Sequence, residues 1–186
     1  MSASSVIGDV TRTLEAMLTS EQLSPPFDVS LISPAEEDPT KLTKPTVNLF
    51  LFRVTENPFA KNQDWAAVGA SELSRPPLAL NLFYVLTPFA KDKVDEYSVL
   101  GEAMRVFYEN SIIPDGLLKG SLENAPVELK VDLLQTSFED LARIWTALTK
   151  PYRLSVCYEI RMALIDSPST KASNRAGEME DRLIFK

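Results

Sequence analysis

Apolar positions along the chain follow two periods, and the switches between them delimit the elements. Val6, Val10, Leu14, Met17 and Leu18 recur at helical spacing. They predict a first helix over 5–19, capped by Ser4 or Ser5, with Asp9 and Glu15 facing away from the core. Pro25 and Pro26 precede the run FDVSLIS and the loop SPAEEDPTKLTKP follows it, so one brief strand sits between two loops. In TVNLFLFRV, residues 46–54, Val47, Leu49 and Leu51 alternate with Asn48, Phe50 and Phe52. Apolar groups on both faces predict a central strand. The strongest strand pattern is LALNLFYVLT, residues 78–87, with Leu78, Leu80, Leu82, Tyr84 and Leu86 on one face and Ala79, Phe83 and Val85 on the other. Pro76 and Pro77 bar an earlier start, and Pro88 bars continuation.

Val94, Tyr97, Leu100, Met104, Phe107 and Tyr108 then mark an amphipathic helix over 91–110. Gly101 within it costs about 1 kcal/mol relative to alanine, which predicts close approach to a strand at that point. VELKVDLL, residues 127–134, alternates Val127, Leu129, Val131 and Leu133 with charged residues, a strand buried on one face. Ser137 caps a third helix reaching Leu148, with Phe138, Leu141, Ile144, Trp145 and Leu148 on one stripe. YRLSVCYEIRMALID, residues 152–166, alternates Leu154, Val156, Tyr158, Ile160, Met162 and Leu164 with Arg153, Ser155, Cys157, Glu159 and Arg161. The pattern therefore predicts one α+β domain over 1–166, about four to five strands and three helices. A polar arm over 167–186 ends in the apolar tip Leu183, Ile184 and Phe185. The connection over 55–77, with Trp65 in its middle, is longer than the usual loop of about 4–6 residues, and long ordered loops often carry function.

Composition narrows the chemistry. The 19 Lys and Arg against 26 Asp and Glu give a net charge of −7. That balance argues against a phosphate-neutralising surface and hence against nucleic acid as partner. The chain has no histidine, which removes Ser-His and Cys-His nucleophile pairs and imidazole metal sites. Its single cysteine, Cys157, forms no intramolecular disulfide and fits a reducing compartment. No apolar run reaches the roughly 18–20 residues of a membrane span, and the start lacks the features of a secretory signal. Cytoplasmic assembly without direct membrane insertion is the expectation.

Candidate sites are few. Glu36, Glu37 and Asp38 lack the fixed turn and further oxygens of a calcium loop and read as a solvated acidic loop. Arg153 and Arg161 flank Cys157 on its strand face and could favour a thiolate, but a structural thiol is the simpler reading. Gly69, Ala70 and Ser71 lack the second glycine of a nucleophile elbow, and there is no Walker or GxGxxG pattern. A carboxylate-only active site stays open as an alternative, although no pair is singled out. Trp65 is either buried over the sheet edge or an interface anchor.

Four stretches carry a family resemblance: VTENPFAKN (54–62), RPPLALNLFYVLTPFA (75–90), VLGEAMRVFYEN (99–110) and DLARIWTALTKPYRLSVCYEI (140–160). In this order they resemble a family first catalogued as a domain of unknown function. That family recurs as the tail terminator, or cap, of extracellular contractile injection systems of the antifeeding-prophage and virulence-cassette type. The resemblance implies a non-enzymatic structural protein without cofactor or metal, a mixed sheet flanked by helices as in phage tail terminators, and a homo-hexameric ring. Its implied partners are the inner tube protein, whose growth the ring would end, and the sheath protein, whose last ring it would anchor. Two positions depart from the family pattern: Lys61 stands where an arginine is common before Asn62, and Asn81 stands where an aspartate is more usual.

On this reading Asn57, Phe59, Asn62 and Trp65 are candidate contacts to a neighbouring subunit or the tube. Leu183, Ile184 and Phe185 are candidates for docking on an adjacent subunit or on sheath as an added strand. A connector or baseplate component of the same particle, and a monomeric adaptor binding one peptide through a sheet edge, are the competing readings.

Overall fold

The computed structural model describes residues 5–19, 23–61, 63–67, 72–123, 128–167 and 169–172. Its elements run α1 (Val6–Leu18), β1 (Asp28–Ser30), β2 (Thr46–Glu56), β3 (Ala66–Ala67), β4 (Glu72–Ser74), β5 (Leu78–Phe89), α2 (Lys93–Glu109), β6 (Lys130–Leu134), α3 (Phe138–Ala147), β7 (Val156–Ile165) and β8 (Thr170–Ala172). A mixed five-stranded sheet has the order β1-β2-β5-β7-β6, with β1 parallel to β2 and the other pairs antiparallel. The α+β class and the sheet flanked by three helices agree with the sequence pattern.

The strand apolar on both faces lies at the centre. Leu80, Leu82, Tyr84 and Leu86 of β5 meet Val10, Leu14 and Leu18 of α1 and Val99, Ala103 and Phe107 of α2 in the main core. On the opposite face Val85 and Cys157 meet Leu141 of α3, with Phe50, Phe52, Leu134 and Ile144 packed around them. Trp145 is buried on that side, and its Nε1–H donates to Ser155 Oγ at 3.3 Å. Ser155 in turn shares a 3.0 Å hydrogen bond with Thr87, so the polar groups under α3 are paired.

Several expectations are corrected. Strand β5 runs through Pro88 to Phe89, opposite Val47 and Thr46 of β2. Its pairing with β7 stops at Leu86, so Pro88 has a strand on one side only, the edge-like setting in which proline is tolerated. Strand β2 is interior only over Thr46–Asn48, because β1 is three residues long. Gly101 approaches nothing: a Cβ there would have no neighbour within 4 Å. Leu133, Phe138 and Leu154 are exposed despite their places in the apolar pattern. Phe138 instead meets Tyr152 edge-on, with ring centroids 5.0 Å apart.

The 55–77 connection is structured too. Strands β3, β4 and β8 form a second, antiparallel sheet that ties this connection to the start of the C-terminal arm. The alternation of Ala66–Ala67, Glu72–Ser74 and Thr170–Ala172 is too short and too polar to announce strands. Asn62, the Gly69 to Ser71 triplet and the Leu183, Ile184 and Phe185 tip lie outside the described residues.

Helix capping matches the pattern in α3, adds an unforeseen cap in α2 and departs from it at Ser5 of α1, while Ser4 lies outside the described residues. Asp92 accepts the Val94 and Asp95 amides, and Ser137 accepts the Asp140 amide. Ser5 makes no such cap; its hydroxyl reaches Ser121 at 3.3 Å. Asp9, expected to face outward, is 2% exposed. Its Oδ2 accepts the Ser121 amide at 3.1 Å and hydroxyl at 2.6 Å, and its Oδ1 takes Arg12 at 2.7 Å. One turn further along α1, Thr13 Oγ1 accepts the Lys119 amide at 3.0 Å. A short turn over Gly120–Leu122 thus rides on α1 through polar ties invisible to a periodicity argument. Gly120 is required there: its φ is +64°, and a Cβ would stand 2.4 Å from Asp9 Oδ1.

These ties predict a pH-dependent loss. Hydrogen bonds from Ser121 hold the Asp9 carboxyl below its ordinary value of 3.8, against the opposing cost of burial. A depressed folded value means that the stabilisation is present above the unfolded value and is lost as pH falls through the folded one. Asp9→Asn should therefore cost about 1–3 kcal/mol near neutrality. The gap in urea midpoint between variant and parent should close in strong acid; a gap that persists there would show that the charge contributes nothing. Gly120→Ala should destabilise at every pH.

Candidate assembly interface

Helix α3 is ten residues long and covers only part of its face of the sheet. Beyond Val85 and Cys157 the face carries Asn81, Phe83, Glu159, Arg161 and Asp132, in register across β5, β7 and β6: Phe83 lies opposite Glu159, and Glu159 opposite Asp132. Arg161 Nε donates to Asp132 Oδ2 at 2.7 Å, and the Arg53 guanidinium lies 5.1 Å from the centroid of Phe83. A polar half-face of this kind is what an antiparallel sheet shows where nothing packs on it.

The turn that follows β2 borders this half-face. Asn57 is 3% exposed. Its amide donates to Ala79 O at 2.8 Å, while its Oδ1 accepts the amides of Phe59 at 2.9 Å and Ala60 at 3.3 Å. Its Nδ2 donates to Asn81 Oδ1 at 2.9 Å, and Asn81 Nδ2 donates onward to Glu159 Oε1 at 2.7 Å. Asn57 is thus the inward anchor of the turn and presents no surface of its own. What the turn presents is Phe59, 92% exposed. Lys61, two residues on, lies 3.6 Å from Glu56 across an exposed gap.

Trp65 is half-buried, and the Lys171 ammonium stands 4.4 Å above its ring, so the second sheet holds the indole from behind. It lines an open cleft of about 540 Å³ with Glu56, Arg75, Leu78 and Ile165. A smaller hollow of about 250 Å³ separates Phe59 and Gln63 from Lys130 and Arg161. Of the four loop residues singled out from sequence, the structure therefore places Asn57 and Phe59 on one turn and Trp65 nearby. The pattern missed the partners that hold the turn. Their signal was the polar half of the β7 alternation, Glu159 and Arg161, facing a helix too short to reach them.

Cys157 is buried beneath α3, and burial pushes its thiol above the ordinary range. The flanking arginines are engaged elsewhere, Arg153 with Glu96 and Arg161 with Asp132. The geometry gives a buried thiol rather than a nucleophile. Among the described residues no group of three or more His, Cys, Asp or Glu side chains could hold a metal ion. In the acidic loop, Asp38 accepts Thr40 and contacts Lys41 at 3.2 Å.

Asparagine at position 81 has a physical reason. Glu159 only accepts, so its partner must donate, which asparagine does and aspartate cannot. Asn81→Asp should cost about 1–2 kcal/mol near neutrality, because it sets two acceptors against each other. Adding Glu159→Gln to that variant, which supplies a donor again, should recover the loss. Thermal unfolding of the parent, the single and the double variant checks both; no rescue by the second change would refute the pairing.

The fold has solved relatives. One, described as the sheath/tube terminator of an extracellular contractile injection system, PVC, in its extended state, superposes with a TM-score of 0.63 at 17% identity, over 89% of this chain and 58% of its own. A second, the tube terminating cap of the anti-feeding prophage, gives 0.59 at 13% identity, over 95% of this chain and 59% of its own. The chain thus spans less than three fifths of the length of either. No curated protein matches by sequence search. A family model, by contrast, matches residues 9–177, nearly all of the domain just described, and on that match the chain belongs to the Pvc16 N-terminal domain family.

Proposed function

We propose that this chain is a structural cap of a contractile injection particle: copies close into a homo-hexameric ring on the distal end of the inner tube, end its growth and anchor the last sheath ring. The observation that carries the reading is the superposition of 89% of the chain on a sheath/tube terminator. The site's chemistry supports it. The uncovered half-face offers paired charges, an exposed aromatic turn and a tryptophan-lined cleft. These are means of contact rather than of bond breaking. A non-enzymatic role follows on this reading.

Phe59 and Trp65 are then contact residues for a neighbouring subunit or the tube end, with Asn57 as support for their turn. The arm beyond Ala172 reaches an adjacent subunit or sheath through its Leu183, Ile184 and Phe185 tip. Each subunit needs only a modest contact, because six made at once bind through effective concentration.

Electron microscopy of particles assembled with and without this chain tests the reading. Loss of the chain should give tubes and sheaths of uncontrolled length, or sheath that contracts early. Unchanged, uniform lengths would overturn it. Trp65→Ala should weaken ring formation or tube binding by about tenfold or more. Truncation after Ala172, which leaves β8 in place, should release the sheath while the domain still folds; closed, sheath-anchored particles from that truncation would remove the arm from the contact set.

A further inference from the structure

A second unsatisfied surface lies on the other face of the sheet. Between α2 and β6, Met104, Phe107 and Tyr108 face Val131, Leu133 and Tyr158 across an open groove of about 350 Å³. Its floor is rigid, since the Phe107 and Tyr158 rings meet edge-on with centroids 4.9 Å apart. Gly101 leaves one wall low, with open space where a side chain would stand. Among the described residues nothing fills the groove: Tyr108 is 84% exposed and Leu133 is 52% exposed.

This groove and the Phe59 turn lie on opposite sides of one sheet edge. Lys130 and Arg161, which border the hollow beside Phe59, belong to the α3 side, whereas Val131, Leu133 and Tyr158 alternate with them and point to α2. A chain cannot bring its own Phe59 through the sheet to its own groove without undoing β6. A knob and a groove on different surfaces of the same molecule define a heterologous contact, the type that closes into rings. The charged groups near each surface are paired within the subunit, Lys61 with Glu56 at 3.6 Å and Glu109 at 2.6 Å with Arg105, which borders the groove, so the match between the two surfaces is apolar.

We infer that Phe59 of one copy seats in the groove between α2 and β6 of the next copy. The inference rests on the ring reading above and deepens it by naming the two surfaces that meet. It also accounts for an exposed phenylalanine on a turn whose backbone Asn57 fixes, since an ordered backbone loses less freedom on docking.

The buried Cys157 leaves introduced cysteines as the reactive ones, so disulfide trapping tests the contact directly. Phe59→Cys protein mixed with Leu133→Cys protein under oxidation should give the 59–133 heterodimer as the main product. The double variant should give a ladder ending in a covalently closed ring. Phe59→Asp and Leu133→Asp, both at exposed positions, should each weaken self-association at least about tenfold with unchanged thermal unfolding.

Homotypic 59–59 or 133–133 products as frequent as the heterodimer would overturn the inference. So would a faster disulfide between Leu133→Cys and Ile184→Cys, which assigns the groove to the arm. If the parent ring forms and Phe59→Asp leaves it intact, this contact falls and the ring reading stands. If the parent is monomeric at every concentration and no 59–133 product forms, both fall.

Discussion

Everything in this fold follows from a strand that is apolar on both faces. Buried side chains line both sides of β5, so the sheet it centres must be covered twice. On one side α1 and α2 form a continuous layer. On the other α3, at ten residues, covers only the end where Val85 and Cys157 lie. A helix of that length spans about 15 Å, whereas the twelve residues of β5 extend about 40 Å. The half-face that α3 leaves is a consequence of that difference, and among the described residues it is covered in part by the turn after β2, which buries Asn81, and otherwise carries the half-exposed pair Arg161 and Asp132.

Polar groups that tie distant segments together do a different job from the Arg161 and Asp132 pair left half-exposed on the sheet face. Asp9 and Thr13 fasten the 119–121 segment to α1, and Thr11 fastens α1 to the Tyr84 hydroxyl at 2.8 Å. Asn57, Asn81 and Glu159 fasten the turn after β2 to β5 and β7. Each is a long-range tie in which a buried donor meets an acceptor, so removing one partner strands the other at a cost of about 1–3 kcal/mol. Such ties add little net stability over a well-packed apolar contact. They do fix one conformation of a segment that sequence propensity leaves free, and the exposed Phe59 depends on that fixation.

The sequence made the large elements legible for a physical reason: periodic burial repeats over ten or more residues, as in α1, α2 and β5. It failed where burial comes from elsewhere in the chain. Asp9 reads as solvent-facing from its own helix and is covered by a turn more than a hundred residues away. Leu133 and Phe138 read as core from their own elements and are left bare, Leu133 on the edge strand across an open groove from α2 and Phe138 at the first turn of α3. Strands β3, β4 and β8, of two or three residues each, carry no period at all and exist through mutual hydrogen bonds. At the candidate site Phe59 and Trp65 were visible as large side chains in a long connection, while their supports, Asn81, Glu159 and Lys171, were not, because support is a three-dimensional relation.

The misplaced apolar residues carry the functional argument. An exposed leucine taken singly needs no explanation. Here Leu133 joins Tyr108 over a floor of packed aromatic rings, and Phe59, on a turn whose Phe59 and Ala60 amides both donate to Asn57, stands on the opposite face. A monomer with a net charge of −7 can carry both in water, since like charge disfavours random association. Docking the two surfaces would bury the aromatic ring in one defined orientation, and its repetition around an axis would set how many copies close. Specificity in such an assembly comes from the fixed angle between knob and groove, which the sheet enforces by carrying one on each face.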